Sequence, residues 1–196
     1  MKKEFLLFKI TFVKRVNNNM EGIQIRKIND DDVFQLQTIG KQTFFETFLA
    51  SNTEENMMNY LEKGFSIAKL EEELKSDKSE FYFAESQEGV IGYLKINTGE
   101  SQTELKDQKG LEIERIYVLT NYQGKKVGQL LFEKAIVLAK EKNVDYIWLG
   151  VWEYNLKAIQ FYKKNGFVEF NKHVFVLGND EQTDIMMKLN INQNEI

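Results

Sequence analysis

From Leu111 to Phe132 the chain reads LEIERIYVLTNYQGKKVGQLLF, an apolar strand that breaks into a glycine-bearing turn and then opens a helix. Leu111 and Ile113 are apolar at odd positions with Glu112 and Glu114 between them, the period of a half-buried strand. After Arg115 the apolar residues move to even positions, Ile116 and Val118, around Tyr117. One extra residue in a strand turns every later side chain to the other face, so the slip predicts a β-bulge at Ile116 to Val118. A central strand buried on both faces, where parity carries little information, fits the same letters. Beyond the turn, Val127, Leu130, Leu131, Ala135, Leu138 and Ala139 recur at helical spacing. The first turn of such a helix has free N–H groups and the positive end of the helix dipole. With Gly124 and Gly128 allowing close approach and Lys125 and Lys126 adding charge, the turn suits a phosphate or pyrophosphate. It is not a P-loop, because the G-x-x-x-x-G-K-[ST] order is absent.

Composition narrows the remaining chemistry. The chain has no cysteine, which removes disulfides, thiolate nucleophiles and cysteine metal sites and fits a reducing, cytoplasmic setting. Its one histidine, His173, reads as an ordinary strand or surface residue, so neither a histidine metal site nor a Ser-His-Asp triad is expected, and no metal. A net charge of −4 argues against nucleic acid as the main partner and favours a cationic one. No segment approaches the roughly 20 apolar residues of a membrane span, so no membrane partner is expected. Lys9 interrupts the apolar run near the start, where no small-residue cleavage site follows. Residues 1–19 read as an extension outside the fold, and residues 20–196 as a single domain with no repeats or Pro-rich linker.

The other elements follow from local signals. Ile23 to Ile28 alternates as a strand, and Asn29 to Asp32 cap a helix from about Asp31 to Ala50. Ser51 to Ser76 reads as a second helical stretch broken near Gly64. Phe81–Glu85 and Val90–Ile96 form a hairpin, and the polar segment Thr98 to Gly110 reads as a mobile loop. Tyr146 to Val151 is a short buried strand. Asn155 can cap a helix carrying Ala158, Ile159 and Tyr162, closed by Asn165, Gly166 and Phe167 in the order of a Schellman cap. Phe167 to Leu177 and Asp184 to Leu189 complete the strands.

Two of these segments resemble the GNAT acetyltransferase superfamily. One is strand, Q/R-x-x-G-x-G/A, helix, matched by Gln123 to Gly128; the other is N-x-x-A-x-x-F-Y-x-x-x-G-F, matched by Asn155, Ala158, Phe161, Tyr162, Gly166 and Phe167. Within the superfamily the chain is similar to the bacterial PaiA type of spermine/spermidine N-acetyltransferases. LEIERIYV, IWLGVWE, AIQFYKKNGFV, EQTD at Glu181 to Asp184, and the spacing of Thr43, Phe44, Thr47 and Phe48 carry that likeness. The resemblance implies an α/β (mixed α+β) domain, the GNAT fold: a mostly antiparallel mixed sheet of about seven strands flanked by about four helices, splayed between strands 4 and 5. Lys126 stands where the family pattern has its middle glycine, so its φ must be one a non-glycine residue tolerates.

The same resemblance implies acetyl-CoA as co-substrate and a small-molecule primary amine, a polyamine, as acceptor, and it allows a homodimer. Gln123, Gly124, Lys125, Lys126, Val127 and Gly128 would hold the pyrophosphate; main-chain groups of Ile116, Tyr117 and Val118 would hold the pantetheine arm, with Asn155 and Lys164 beside it. Asn155 reads equally as a plain helix cap. Attack requires a neutral amine, whereas an alkylammonium has a pKa near ~10. Glu114 stands at the family position of a base acting through water, with Glu112 in reserve; a salt-bridged glutamate paired with Arg115 fits as well. Tyr162 would protonate the departing thiolate. Phe44, Glu46, Phe48, Trp152 and Glu153, with Tyr117, would meet the polyamine. A protein N-terminal or lysine acetyltransferase, or a non-catalytic acyl-CoA-binding regulator, fits the same motifs.

Overall fold

The alternation in the sequence becomes seven strands of one sheet in the computed structural model, which describes residues 22–177 and 180–191. In chain order the elements are β1 (Gln24–Lys27), α1 (Val33–Phe48), α2 (Glu54–Gly64), α3 (Ile67–Lys75), β2 (Ser79–Ser86), β3 (Gly89–Thr98), β4 (Gly110–Val118), α4 (Val127–Glu141), β5 (Tyr146–Trp152), α5 (Leu156–Lys164), β6 (Val168–Leu177) and β7 (Asp180–Asn190). The extension expected at residues 1–19 lies outside the described residues. The sheet order is β1-β2-β3-β4-β5-β7-β6, antiparallel except for the parallel pair β4 and β5. Among the described residues no helix is long and apolar enough to cross a membrane.

Caps explain where the helices start. Asn29 and Asp32 form a reciprocal capping box at the short turn leading into α1. Thr53 and Ser66 accept from the N–H groups of Asn56 and Lys69, so the stretch Ser51 to Ser76 splits into α2 and α3, giving five helices where about four were expected. At the end of α5, Gly166 at φ +90° lets Phe167 N donate to Tyr162 O and Gly166 N donate to Lys163 O, the Schellman pattern.

The central strands are covered on both faces, and β5, YIWLGVW, reads accordingly as a nearly continuous apolar run. On one face Phe81, Phe83 and Tyr93 pack with Leu36, Phe44, Met57, Phe65 and Leu70 of α1, α2, α3 and the α2–α3 turn. On the other, Tyr82, Ala84, Leu94 and Ile96 pack with Leu131, Phe132 and Ala135 of α4 and Ile159 and Tyr162 of α5.

Two expectations need correction. The bulge exists, but it sits at Glu114: Lys95 pairs with Arg115 and Ile96 with Ile113, leaving Glu114 as the extra residue. Leu111, Ile113, Ile116 and Val118 therefore all face the α4 side, and the parity slip is the trace of that insertion. The loop read as mobile is pinned. Gln102, 1% exposed, donates to Gly99 O and Asp107 O and accepts from Trp148 Nε1 at 2.5 Å. Thr103 donates from its N–H and hydroxyl to Glu112. A polar composition cannot distinguish a solvated loop from one tied by its own side chains.

Gly92 allows β3 to lie close against β4, since a Cβ there would sit 2.6 Å from the carbonyl oxygen of Tyr117. Gly92→Ala is therefore expected to lower the urea unfolding midpoint, by roughly 1–3 kcal/mol of stability, although alanine carries the better side chain for most backbone positions; an unchanged midpoint would refute this packing.

Candidate active site

The parallel ladder between β4 and β5 ends after Glu112 opposite Trp148. From there β4 remains paired with β3 as far as Val118, and β5 with β7 as far as Trp152. Residues 113–118 and 149–152 thus line a wedge whose facing main-chain groups do not pair with each other. A cavity of about 1420 Å³ runs through the wedge and opens onto both faces of the sheet.

On the α4–α5 face its wall includes Gln123, Gly124, Lys126, Gly128, Asn155 and Tyr162. Lys126 is the N-cap of α4 at φ 66°, ψ 5°, a left-handed conformation that costs a side-chain-bearing residue about 1 kcal/mol. The first N–H groups of α4 receive no side-chain cap and stay available for an anion. Lys126, Lys157 and Lys164 line this end of the cavity, and Lys157 Nζ donates to Gln123 Oε1 at 3.2 Å. Lys125 stands apart with its ammonium 5.0 Å above the Tyr122 ring, and the Val127 side chain is core, leaving only its main chain for binding.

Asn155 Oδ1 accepts from Ala158 N at 3.1 Å, so it caps α5 while also lining the cavity. Ile116, Tyr117 and Val118 line the wedge, as expected of them, through strand divergence and not through a bulge at their own positions. Tyr162 lies two turns into α5, its ring 5.5 Å from that of Phe167, and burial raises its hydroxyl pKa.

The two glutamates expected as bases are held differently. Glu114 is clamped by Lys95 Nζ at 2.6 Å, Arg115 Nη2 at 3.1 Å and Asn97 Nδ2 at 2.6 Å. Burial alone would raise its pKa; the charges of Arg115 and Lys95 overturn that and hold it down at about 2. A carboxylate so stabilised is a poor proton acceptor, and the salt-bridged reading is the one that the geometry bears. Glu112, 3% exposed, accepts from Thr103 N, Thr103 Oγ1 and Asn97 Nδ2, and burial raises its pKa against those bonds. Its lone pairs hold the loop.

The opposite end is aromatic. Phe44 stacks on Tyr60 at 4.4 Å and meets Phe48 at 4.5 Å, and Phe48 meets Trp152 at 6.0 Å. Glu46 lines the cavity, but accepts from Thr120 N at 2.8 Å and from Gln42; these bonds outweigh burial and lower its pKa. Glu153 is not on the wall: its N–H donates to Thr183 O and its carboxylate faces Lys172 at 3.8 Å. Among the wall residues that were missed are Tyr60, Glu104, Trp148, Lys157, His173 and Asp184. His173, read as an ordinary strand residue, is indeed on β6, but it faces the cavity opposite Asp184. Only the EQTD segment pointed toward that corner.

Residues 43–167 match the family model described as the Acetyltransferase (GNAT) family. An uncharacterized N-acetyltransferase of the pepI 3′ region in Lactobacillus delbrueckii subsp. lactis is 40% identical over 169 residues, covering 86% of this chain and 98% of that protein. The spermidine N(1)-acetyltransferase of Thermoplasma acidophilum is 26% identical over 150 residues, covering 74% of this chain and 88% of the relative. The crystal structure of PaiA N-acetyltransferase from Thermoplasma acidophilum in complex with coenzyme A superimposes with a TM-score of 0.72 at 23% identity, covering 86% of this chain and 98% of that one.

The Glu114 clamp has a pH signature. Its folded pKa of about 2 lies below the ordinary 4.5, so its stabilisation is full above 4.5 and is lost as pH falls toward 2. Urea titrations should show Glu114→Gln destabilised at neutral pH by roughly 3 kcal/mol, because two buried cations lose a partner, and less sensitive than wild type to acid between pH 4.5 and 2. Equal acid slopes in the two proteins would contradict the clamp.

Proposed function

The chain belongs to the GNAT acetyltransferase family, and from that premise we propose that it moves the acetyl group of acetyl-CoA directly to a primary amine, with a polyamine such as spermidine or spermine as acceptor. The observation that carries the reading is the polarity of the cavity. One end has Lys126, Lys157 and Lys164 against the single carboxylate of Glu133, with the open start of α4; the other has aromatic rings and the carboxylates of Glu104 and Asp184, with Lys69 paired to Glu73 at 3.9 Å. An anionic donor and a cationic acceptor would enter from opposite faces of the sheet and meet in the wedge. The spermidine acetylation named for the Thermoplasma relative, and the coenzyme A held by the Thermoplasma PaiA structure, support it.

The residues present fit a coenzyme A thioester. The N–H groups at the start of α4, with Lys126, Lys157 and Lys164, would neutralise pyrophosphate and phosphate charge. Main-chain groups of residues 116–118 on the side turned from β3 would bond the pantetheine amides and orient the thioester carbonyl. Phe44, Phe48, Tyr60 and Trp152 would receive the methylene and ammonium groups of the acceptor. The amine nitrogen forms the C–N bond as the C–S bond breaks, and Tyr162 donates its proton to the departing thiolate. Burial keeps that phenol protonated until a thiolate faces it. With no cysteine in the chain, no acyl-thiol enzyme forms.

A screen of amines with acetyl-CoA, read by thiol release, tests the reading. Spermidine should be turned over in preference to a lysine peptide, and the reverse preference would replace the polyamine by a protein acceptor. Tyr162→Phe should lower kcat by about 100-fold or more while acetyl-CoA still binds; unchanged turnover would remove Tyr162 from the chemistry. Lys126→Gly should relieve the left-handed strain and raise the unfolding midpoint by up to about 1 kcal/mol, while the KM for acetyl-CoA rises through the lost charge; a fall in both quantities would contradict the assignment.

A further inference from the structure

Of the carboxylates along the cavity's inner wall, three have their lone pairs committed: Glu46 to the Thr120 N–H and Gln42, Glu112 to Thr103 and Asn97, and Glu114 to Lys95, Arg115 and Asn97. Asp184 differs. Among the described residues its carboxylate carries no hydrogen bond or ion pair, and it lines the same cavity, half-buried. In the sheet it stands opposite Trp152 of β5 and His173 of β6. Its Oδ2 lies 3.4 Å from where a Cβ on Gly150 would be. Because Gly150 has no side chain, the carboxylate hangs over bare β5 backbone, two residues past Trp148, where the last β4–β5 pair forms. That is the floor of the wedge in which donor and acceptor would meet.

We propose that Asp184 is the base that takes a proton from the acceptor ammonium, and that His173 and Glu104 carry this proton outward to solvent. The proposal rests on the amine acetyltransferase reading given above and supplies a base whose carboxylate, unlike that of Glu114, is not clamped by Lys95, Arg115 and Asn97. The alkylammonium loses two protons in becoming an amide. One N–H bond breaks toward Asp184, and the freed lone pair forms the C–N bond; the second proton restores the Tyr162 phenol after it has given its own to the thiolate. Asp184 is then reset through the imidazole. His173 has a quarter of its side chain exposed, and its Nδ1 is 3.8 Å from Glu104 Oε1, within reach of transfer through a solvent molecule. Glu104, with 43% of its side chain exposed, stands at the mouth.

The surroundings suit the role. Burial raises the Asp184 pKa, and His173 only partly offsets it, so this carboxylate is more basic than usual. Tyr60 of α2 is the other titratable group coupled to it. Glu104 and Glu112 share the cavity wall, while Lys172 and Glu153 face each other at 3.8 Å. Among the described residues, the basic group that acts on Asp184 is the imidazole of His173, the chain's single histidine.

The test is the pH profile of Asp184→Asn with whichever amine the wild type acetylates best. At pH 7 its kcat/KM should fall by about 100-fold or more, within the range expected for a general base, while acetyl-CoA binding by calorimetry is kept. The deficit should shrink as pH rises toward the amine pKa near ~10, where the substrate deprotonates unaided. Asp184→Glu should recover part of the lost rate. A variant with wild-type kcat/KM overturns the proposal, and so does a loss that is the same at every pH, which marks a structural role. If Asp184→Asn does not fold, His173→Gln carries the test: kcat several-fold lower with the amine KM unchanged supports the relay, and an unchanged kcat overturns it. If spermidine is inert and a lysine peptide is acetylated, the polyamine reading falls while the Asp184 test runs with the peptide.

Discussion

Everything in this molecule depends on where two parallel strands stop pairing. β4 and β5 share a ladder only through Gly110, Leu111 and Glu112, and each then stays with its antiparallel neighbour on the other side. Main-chain groups left unpaired in a sheet interior are costly unless a ligand or water satisfies them. The wedge that we propose as the binding element is thus built from backbone, and its position is set by what fixes the two half-sheets. Glu112 is central to this. It sits on the last paired register, opposite Trp148, and ties the strand to Thr103 while Trp148 ties to Gln102 of the same loop. The loop that looks like a solvated connection is the rivet at the apex of the wedge.

The second fixing element is electrostatic. Lys95 and Arg115, 4% and 9% exposed, meet Glu73 and Glu114 in a network of two cations and two anions. Such a group contributes little net stability compared with apolar packing, but each member is costly to remove. Its effect here is geometric. The bulge at Glu114 is held by charges reaching from β3 and α3, so the later residues of β4 present Tyr117 to the α1–α2 side and Ile116 and Val118 to the α4 side. Lys69 also reaches Glu73, at 3.9 Å, so the charges of this group are largely met within it.

The fold was legible in the sequence to the extent that its signals are local. Caps at Asn29, Thr53, Ser66 and Asn155, the Schellman close at Gly166 and the alternating strands all involve residues within a few positions of each other. The slip between Ile113 and Ile116 announced a bulge, but letters alone do not say which residue is extra. That depended on Lys95, which is far away in sequence and adjacent in space. The same limit hid the site's acids. Glu114 reads as a free base until Lys95 and Arg115 close on it, and Asp184 reads as a strand-end acid until β7 pairs with β5 over Gly150. Motif-borne residues such as Gln123, Gly124, Asn155 and Tyr162 lie on the cavity wall because each belongs to one turn or helix start. Residues brought by the last two strands, His173 and Asp184, carry no comparable local mark.

The central claim is that the thioester arm lies between residues 113–118 and 149–152, bonded to main chain. Hydrogen–deuterium exchange with and without saturating acetyl-CoA tests it directly. Peptides covering those two segments and the start of α4 should exchange more slowly in the complex. If their uptake is unchanged at concentrations where calorimetry reports full occupancy, the ligand binds elsewhere and the wedge is not the site.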